Sequence, residues 1–262
     1  MTSGSDLPLA KFFAIASLTP AQAPPRHRQA LITGATRGIG AATAAAFARA
    51  GWDLQLLARD GEALASTAEL CRQSGVNVHT TTVDLAAAAA VGPAIASSLE
   101  LGGTPSVVIN NAGAGLTAPL AGTDHDRWQW LLQLNLTSVF QICQALVPAL
   151  RAAGGGLILN ISSHAARHAF PDWGAYGVGK AGLQALSRAF SVEERDRGIR
   201  VSTLTLGAVD TSLWDSPTVQ STFPRHGMLR PEDVARTLLF MAEQPDHLLI
   251  EDLTLLPAAG AL

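Results

Sequence analysis

Charge is scarce in this chain. Asp, Glu, Lys and Arg supply 15% of 262 residues, and apolar residues supply 48%. That balance excludes a disordered chain and requires a large buried core, within the size one α/β domain can build. The net charge of −3 leaves no basic footprint, so no nucleic-acid partner is expected. There are only two cysteines, Cys71 and Cys143. They lie far apart without metal-ligand spacing, and read as buried thiols in a reducing compartment; neither a disulfide nor a metal site is expected. No apolar run approaches the roughly 20 residues of a membrane helix, so no membrane association is expected. Solenoid repeats are absent. Tyrosine occurs once, as Tyr176.

The N-terminus reads two ways. Phe12–Leu18 followed by Ala21-Gln-Ala23 has the look of a signal peptide, but its apolar core is short and Asp6 lies in the leading segment. Residues 1–28, with Pro20, Pro24 and Pro25, are read as a loose extension, with a cleaved signal as the alternative, and residues 29–262 as one domain.

What the sequence does contain begins with Thr33-Gly-Ala-Thr-Arg-Gly-Ile-Gly40. It follows the apolar run Ala30–Ile32 and precedes a helical stretch from Arg37 to Arg49. A strand, a glycine turn and a helix N-terminus together cradle a dinucleotide pyrophosphate. Gly34, Gly38 and Gly40 permit positive φ and close approach, and the helix start offers unpaired N–H donors.

Further strand–helix units follow. Strands are expected at Trp52–Ala58, Val76–Asp84, Ser106–Asn110, Gly156–Ile161, Ile199–Leu206 and Asp252–Leu255. Helices are expected at Asp60–Gln73, at Ala86–Glu100, from a Thr123/Asp126 capping box to about Ala153, at Ala175–Asp196, and from Pro231 onward. This alternation predicts an α/β doubly wound parallel sheet, a Rossmann fold of about seven strands with helices on both faces.

The glycine spacing, Asn110-Asn-Ala-Gly113 and Tyr176-Gly-Val-Gly-Lys180 together resemble the short-chain dehydrogenase/reductase family, in its single-domain carbonyl-reducing branch. The resemblance runs from about Gln29 to the C-terminus and fades over residues 212–230. It implies an oxidoreductase that transfers hydride between a nicotinamide cofactor and a carbonyl or secondary alcohol. A catalytically silent nicotinamide-binding protein and an isomerase or dehydratase are the alternatives.

By this resemblance Tyr176 is the general acid/base. Lys180, one helical turn on, binds the nicotinamide ribose and lowers the phenol's pKa. Ser163, thirteen residues before Tyr176, orients the carbonyl, and Asn135 holds a water that passes protons to Lys180. Thr36, Arg37 and Ile39 join the glycines around the cofactor, as do Asp84 near the adenine and Asn111, Ala112 and Gly113 along the adenosine side. Gly207, Val209 and Thr211 would meet the nicotinamide end, although Leu206 stands where the family usually has proline. Family NAD users carry an acid at the position of Ala58. Here Arg59 and Arg37 could instead converge on a 2′-phosphate, so NADP(H) is expected over NAD(H), with Asp60 as the competing ribose reader.

Phe170, Trp173, Leu213, Trp214 and Phe223 suggest an apolar or aromatic-walled pocket. His164 and His168 read as pocket-lining or surface groups. Apolar residues on two sides of the helices at Thr123–Ala153 and Ala175–Asp196 predict a homotetramer or homodimer. A cytoplasmic location is expected because reduced cofactor is needed.

Overall fold

A computed structural model of the chain describes residues 28–221 and 223–260; the expected extension at residues 1–27 lies outside the described residues. Its seven strands form one all-parallel sheet. They are β1 (Gln29–Thr33), β2 (Asp53–Ala58), β3 (Val78–Thr82), β4 (Val107–Asn110), β5 (Gly156–Ser163), β6 (Ile199–Leu206) and β7 (Asp252–Leu255). Their order is β3-β2-β1-β4-β5-β6-β7. The order reverses between β1 and β4, the place where the ends of a doubly wound sheet open a crevice.

Alternation along the strands divides the core. Ala30, Ile32, Leu54, Leu56, Ile109 and Leu159 face one layer, whereas Leu31, Leu57, Val108, Ile158 and Val201 face the other. The first layer is closed by α1 (Gly38–Arg49), α2 (Gly61–Arg72) and, further along the chain, α7 (Pro231–Ala242). The second is closed by α3 (Ala88–Gly102), α5 (Ser138–Ala152) and α6 (Gly174–Glu194). Strands buried on both faces read as nearly continuous apolar runs, as these do.

Two polar networks lie inside. Gln55, fully buried on β2, donates to the Gln29 side chain at 2.9 Å and to the Gly103 carbonyl at 2.8 Å, and accepts from Ser98 at 2.7 Å. It ties the end of α3 to the sheet. Asn110 donates to Asn160 at 2.8 Å, and Asn160 donates to Ser187 at 2.8 Å, linking β4, β5 and α6.

The expected long helix from Thr123 differs in two ways. Asp124, not Thr123, is the N-cap, accepting from the N–H groups of Asp126 and Arg127 at 3.0 and 3.2 Å. The Thr123 hydroxyl is already spent on the Pro119 carbonyl, 3.1 Å away. The helix is also interrupted: α4 (His125–Leu132) passes through a π-helical turn at Gln133–Thr137 before α5 begins. The run His125–Ala152 does have the length and mean hydropathy, 1.3, of a membrane span. Here Val139, Ile142, Cys143, Leu146 and Leu150 are buried in the layer beneath the sheet.

Helix α3 starts at Ala88 rather than Ala86, because Asp84 holds Ala86 and Ala87 in a turn through its side-chain and backbone oxygens, at 3.0 Å each. Of the apolar residues on α5 and α6, Val139, Cys143 and Leu183 are buried. Phe140 is 41% exposed and lies 6.4 Å, ring to ring, from Phe190.

Phe47 anchors the first layer. It is fully buried on α1, with its ring 5.3 Å from that of Trp52. Phe47→Ala is expected to lower unfolding free energy by about 3–5 kcal/mol through lost burial and a residual cavity, read from urea denaturation. A loss below about 1 kcal/mol would show that the layer repacks freely.

Candidate active site

The C-terminal ends of β1, β4, β5 and β6 converge on one cleft of about 880 Å³. At the end of β1 the chain turns through Gly34 and Gly38, with φ of +68° and +52°. A Cβ on Gly34 would come within 2.9 Å of the Ala112 backbone, and one on Gly38 within 3.1 Å of Thr211. On Gly40 it would collide with the Gly34 carbonyl oxygen. The turn is therefore pressed against the β4 loop. Asn111 fastens it by donating to the Thr33 carbonyl at 2.8 Å, while Thr33 Oγ1 accepts from the N–H groups of Asn111 and Ala112 at 3.0 Å each.

No side chain caps the start of α1. Its first-turn N–H groups and the positive end of its dipole open over the glycine turn, which suits a pyrophosphate. Ile39, Asn111, Gly113, Gly207, Val209 and Thr211 line the cleft, and Thr36 and Ala112 lie in the two loops that meet there. The residues present thus fit a dinucleotide. Leu206 is buried at the end of β6, and Gly207 donates its N–H to the Leu255 carbonyl at 2.9 Å, so this loop is held by β7 in the absence of proline.

Arg37 in the glycine turn and Arg59 just beyond β2 are exposed and form no ion pair among the described residues. Asp60 is committed elsewhere: it caps α2 by accepting from Ala63 N–H at 3.0 Å. Asp84 is exposed beyond β3 and uses one carboxylate oxygen on Ala86.

The reacting groups stand on β5 and α6. Strand β5 extends to Ser163, two residues beyond the expected end, so Ser162 and Ser163 point to opposite faces of a strand. Ser162 is buried and bonds the Lys180 carbonyl at 3.4 Å. The Ser163 hydroxyl faces the cleft and accepts from the Ala165 N–H at 3.2 Å. Burial pushes the Tyr176 phenol above its ordinary value, and the neighbouring Ser163 hydroxyl draws it partly back. The expected net lowering by Lys180 is not a property of the protein alone. The Lys180 ammonium lies 5.8 Å from the phenol ring centre and spends a proton on the Ile161 carbonyl, 2.9 Å away. Burial moves Lys180 itself down to about 8.

Asn135 sits fully buried in the π turn. Its side chain accepts from Ala114 N–H at 2.9 Å and donates to the Ala114 carbonyl at 2.8 Å. A Cβ on Gly113 would meet Asn135 Oδ1 at 2.8 Å and Lys180 Nζ at 3.6 Å, so both groups flank this glycine. Phe170, Trp173, Leu213, Trp214 and Phe223 all line the cleft. His164 lines it too, stacked on His168 at 3.9 Å.

A family model for short chain dehydrogenases matches residues 28–220. The chain belongs to that family. It is 31% identical over 234 residues to the glycine betaine reductase ATRR of Emericella nidulans; the match takes in 87% of this chain but only 18% of that much longer protein. Among solved structures, an alcohol dehydrogenase from Thermococcus sibiricus complexed with 5-hydroxy-NADP superposes with a TM-score of 0.81 at 32% identity. That match covers 88% of this chain and 97% of the other. Carveol dehydrogenase from Mycobacterium avium, in complex with NAD, gives 0.80 at 27%, covering 89% and 97%. Family membership makes the chain a member of a nucleotide-dependent oxidoreductase family whose seven-stranded sheet it shares.

Two site features gave no signal in the sequence. The π turn lies within an unbroken helical pattern, and the mutual packing of Gly113, Asn135 and Lys180 joins three distant segments. Burial of Lys180 has a consequence for stability. Its pKa is about 8 folded and near ~10.4 unfolded, so between those values the unfolded chain binds more protons and stability from this group rises with pH. Unfolding free energy of wild type relative to Lys180→Met should therefore rise by up to about 3 kcal/mol from pH 7.5 to 10.5, measured by urea titration. A flat difference would show that the amine is not buried.

Proposed function

We propose that the chain is an NADPH-dependent carbonyl reductase working reversibly on a ketone or aldehyde and its alcohol. The observation that carries this reading is the Tyr176 phenol, lining one cleft with Ser163 and followed one turn later by Lys180, beside the glycine turn. The cofactor, when bound, supplies the hydride. Tyr176 donates its proton to the carbonyl oxygen as the C=O π bond breaks. A raised phenol pKa keeps that proton in place at neutral pH, which suits the reducing direction. Ser163 donates to the same oxygen and holds it in line. Lys180 refills the phenol, directly or through a water held at Asn135, and Asn135 fixes the facing wall through Ala114.

Preference for NADP(H) is supported by the two unpaired guanidinium groups at Arg37 and Arg59 and by the engagement of Asp60 in its cap. The structural relatives include complexes with either cofactor, so the arginines carry this part of the reading. The exposed side chains of Phe140, Val178 and Val192 on α5 and α6 support a homo-oligomer, dimer or tetramer.

Tyr176→Phe should cut NADPH-driven carbonyl reduction by at least about 10²-fold with NADPH binding, read by nucleotide fluorescence, nearly unchanged. Retained turnover would move the acid role to another group. Arg59→Asp should weaken NADPH by at least about tenfold, by repelling the 2′-phosphate, while NADH is little affected. A wild-type enzyme that already prefers NADH would overturn the arginine assignment.

A further inference from the structure

Resting on that carbonyl-reductase reading, we propose that the substrate is a neutral ketone carrying a flat apolar ring, or the corresponding alcohol, and that the cleft rejects anionic carbonyl compounds.

An aromatic wall leads directly away from the proton donor. Trp173 stands edge-on to Tyr176 with ring centres 5.3 Å apart, Trp214 stands edge-on to Trp173 at 5.7 Å, and Phe223 edge-on to Trp214 at 5.8 Å. The Trp214 indole N–H is already given to the Val209 carbonyl at 2.8 Å. What this residue presents to the cleft is hydrocarbon. A chain of alternating ring edges and faces favours a flat ring, which can continue the same offset and edge-to-face packing.

The wall is built in advance of any ligand. Behind it, Gly115 leaves the space that Val219, Leu213 and Trp173 fill: a Cβ there would lie 2.7, 3.3 and 3.3 Å from their side chains. Val219 is buried. The loop carrying it is fastened to the Gly115 loop by Thr218 Oγ1 donating to the Gly115 carbonyl at 2.8 Å and Thr117 N–H donating to the Thr218 carbonyl at 2.9 Å. A third tie joins the loop before α6, where Ala118 N–H donates to the Asp172 carbonyl at 2.8 Å. Three loops from different parts of the chain thus hold the rings in one arrangement.

Among the described residues, the substrate end of the cleft offers an anion no free cation. Of the basic residues lining it, Lys180 is held by the Ile161 carbonyl, and the His164 imidazole is pushed below its ordinary pKa by burial and by the neighbouring His168 and Arg167. Arg225 lies next to the wall but is ion-paired to both Asp210 and Asp215 and donates to the Thr211 carbonyl at 3.0 Å. Arg167 is paired with Asp252. A substrate carboxylate would lose its hydration and meet rings. An unpaired buried charge is strongly disfavoured.

The test compares acetophenone, para-acetylbenzoate and acetone with wild-type enzyme and NADPH, together with calorimetric titration of the first two into the protein. Acetophenone should exceed each of the others in kcat/KM by at least about tenfold, and should bind at least about tenfold tighter than para-acetylbenzoate. Trp214→Ala should raise KM for acetophenone and shrink its advantage over acetone, and Trp214→Phe should restore most of it. Equal or better handling of para-acetylbenzoate, or no calorimetric binding of acetophenone, would overturn the inference. Selective binding of acetophenone without reduction would support the substrate class while overturning the reductase reading.

Discussion

A lysine can be buried at the heart of this cleft only because the Ile161 carbonyl, at the end of β5, faces its ammonium. The 2.9 Å hydrogen bond offsets part of the cost of removing the charge from water, and the depressed pKa records what remains. This bond joins those from Asn160 to Ser187 and from Ser162 to the Lys180 carbonyl in holding α6 against β5. With α6 so held, Tyr176 lies one turn earlier on the same helix face, and Ser163, two residues beyond Ile161 on the same strand, lines the same cleft. A Cβ on Gly113 would press on Asn135 Oδ1 at 2.8 Å, with the Lys180 ammonium in contact at 3.6 Å. The π turn serves the same geometry. It brings the Asn135 amide to both backbone groups of Ala114, a place for the irregular helical turn that often marks a functional site.

The phenol and the amine shift in opposite directions for the same reason. Burial disfavours whichever form is charged, so the acid is held protonated and the base is made easier to deprotonate. A buried pair of this kind keeps its proton until something positive arrives or a carbonyl oxygen takes it. The glycine turn, the uncapped start of α1 and the reversal of strand order between β1 and β4 put the cofactor's place beside that pair. The aromatic loops then define the remaining volume.

Much of this was legible in the residues themselves. Strands β6 and β7 and the start of α7 fall at their expected boundaries, because a nearly continuous buried run in β6, alternation in β7 and a first-turn proline are local signals. The glycine turn was equally readable, since its three glycines answer backbone demands that no other residue meets. The misreadings come from competition among local groups. Thr123 looked like a cap, yet its hydroxyl was nearer a carbonyl in the preceding turn. Asp84 delayed α3 by two residues despite a run of good helix formers. The π turn, the Asn110–Asn160–Ser187 network and the ties between the Gly115 and Val219 loops join residues 21 to 103 positions apart, and such pairings leave no periodic trace. In the protein without cofactor burial raises the Tyr176 pKa, which the sequence did not show, because spacing reveals a neighbouring charge but not the depth of burial.

Burial raises the Tyr176 pKa in the free protein, and a positive charge arriving beside the phenol should lower it again. The chain has a single tyrosine, so ultraviolet difference titration reads this one ionisation without overlap from other phenols. The midpoint should lie above the ordinary value near ~10 in the cofactor-free protein and fall clearly when NADP+ is bound. A midpoint at or below the ordinary value without cofactor, or one that NADP+ leaves unmoved, would contradict the account.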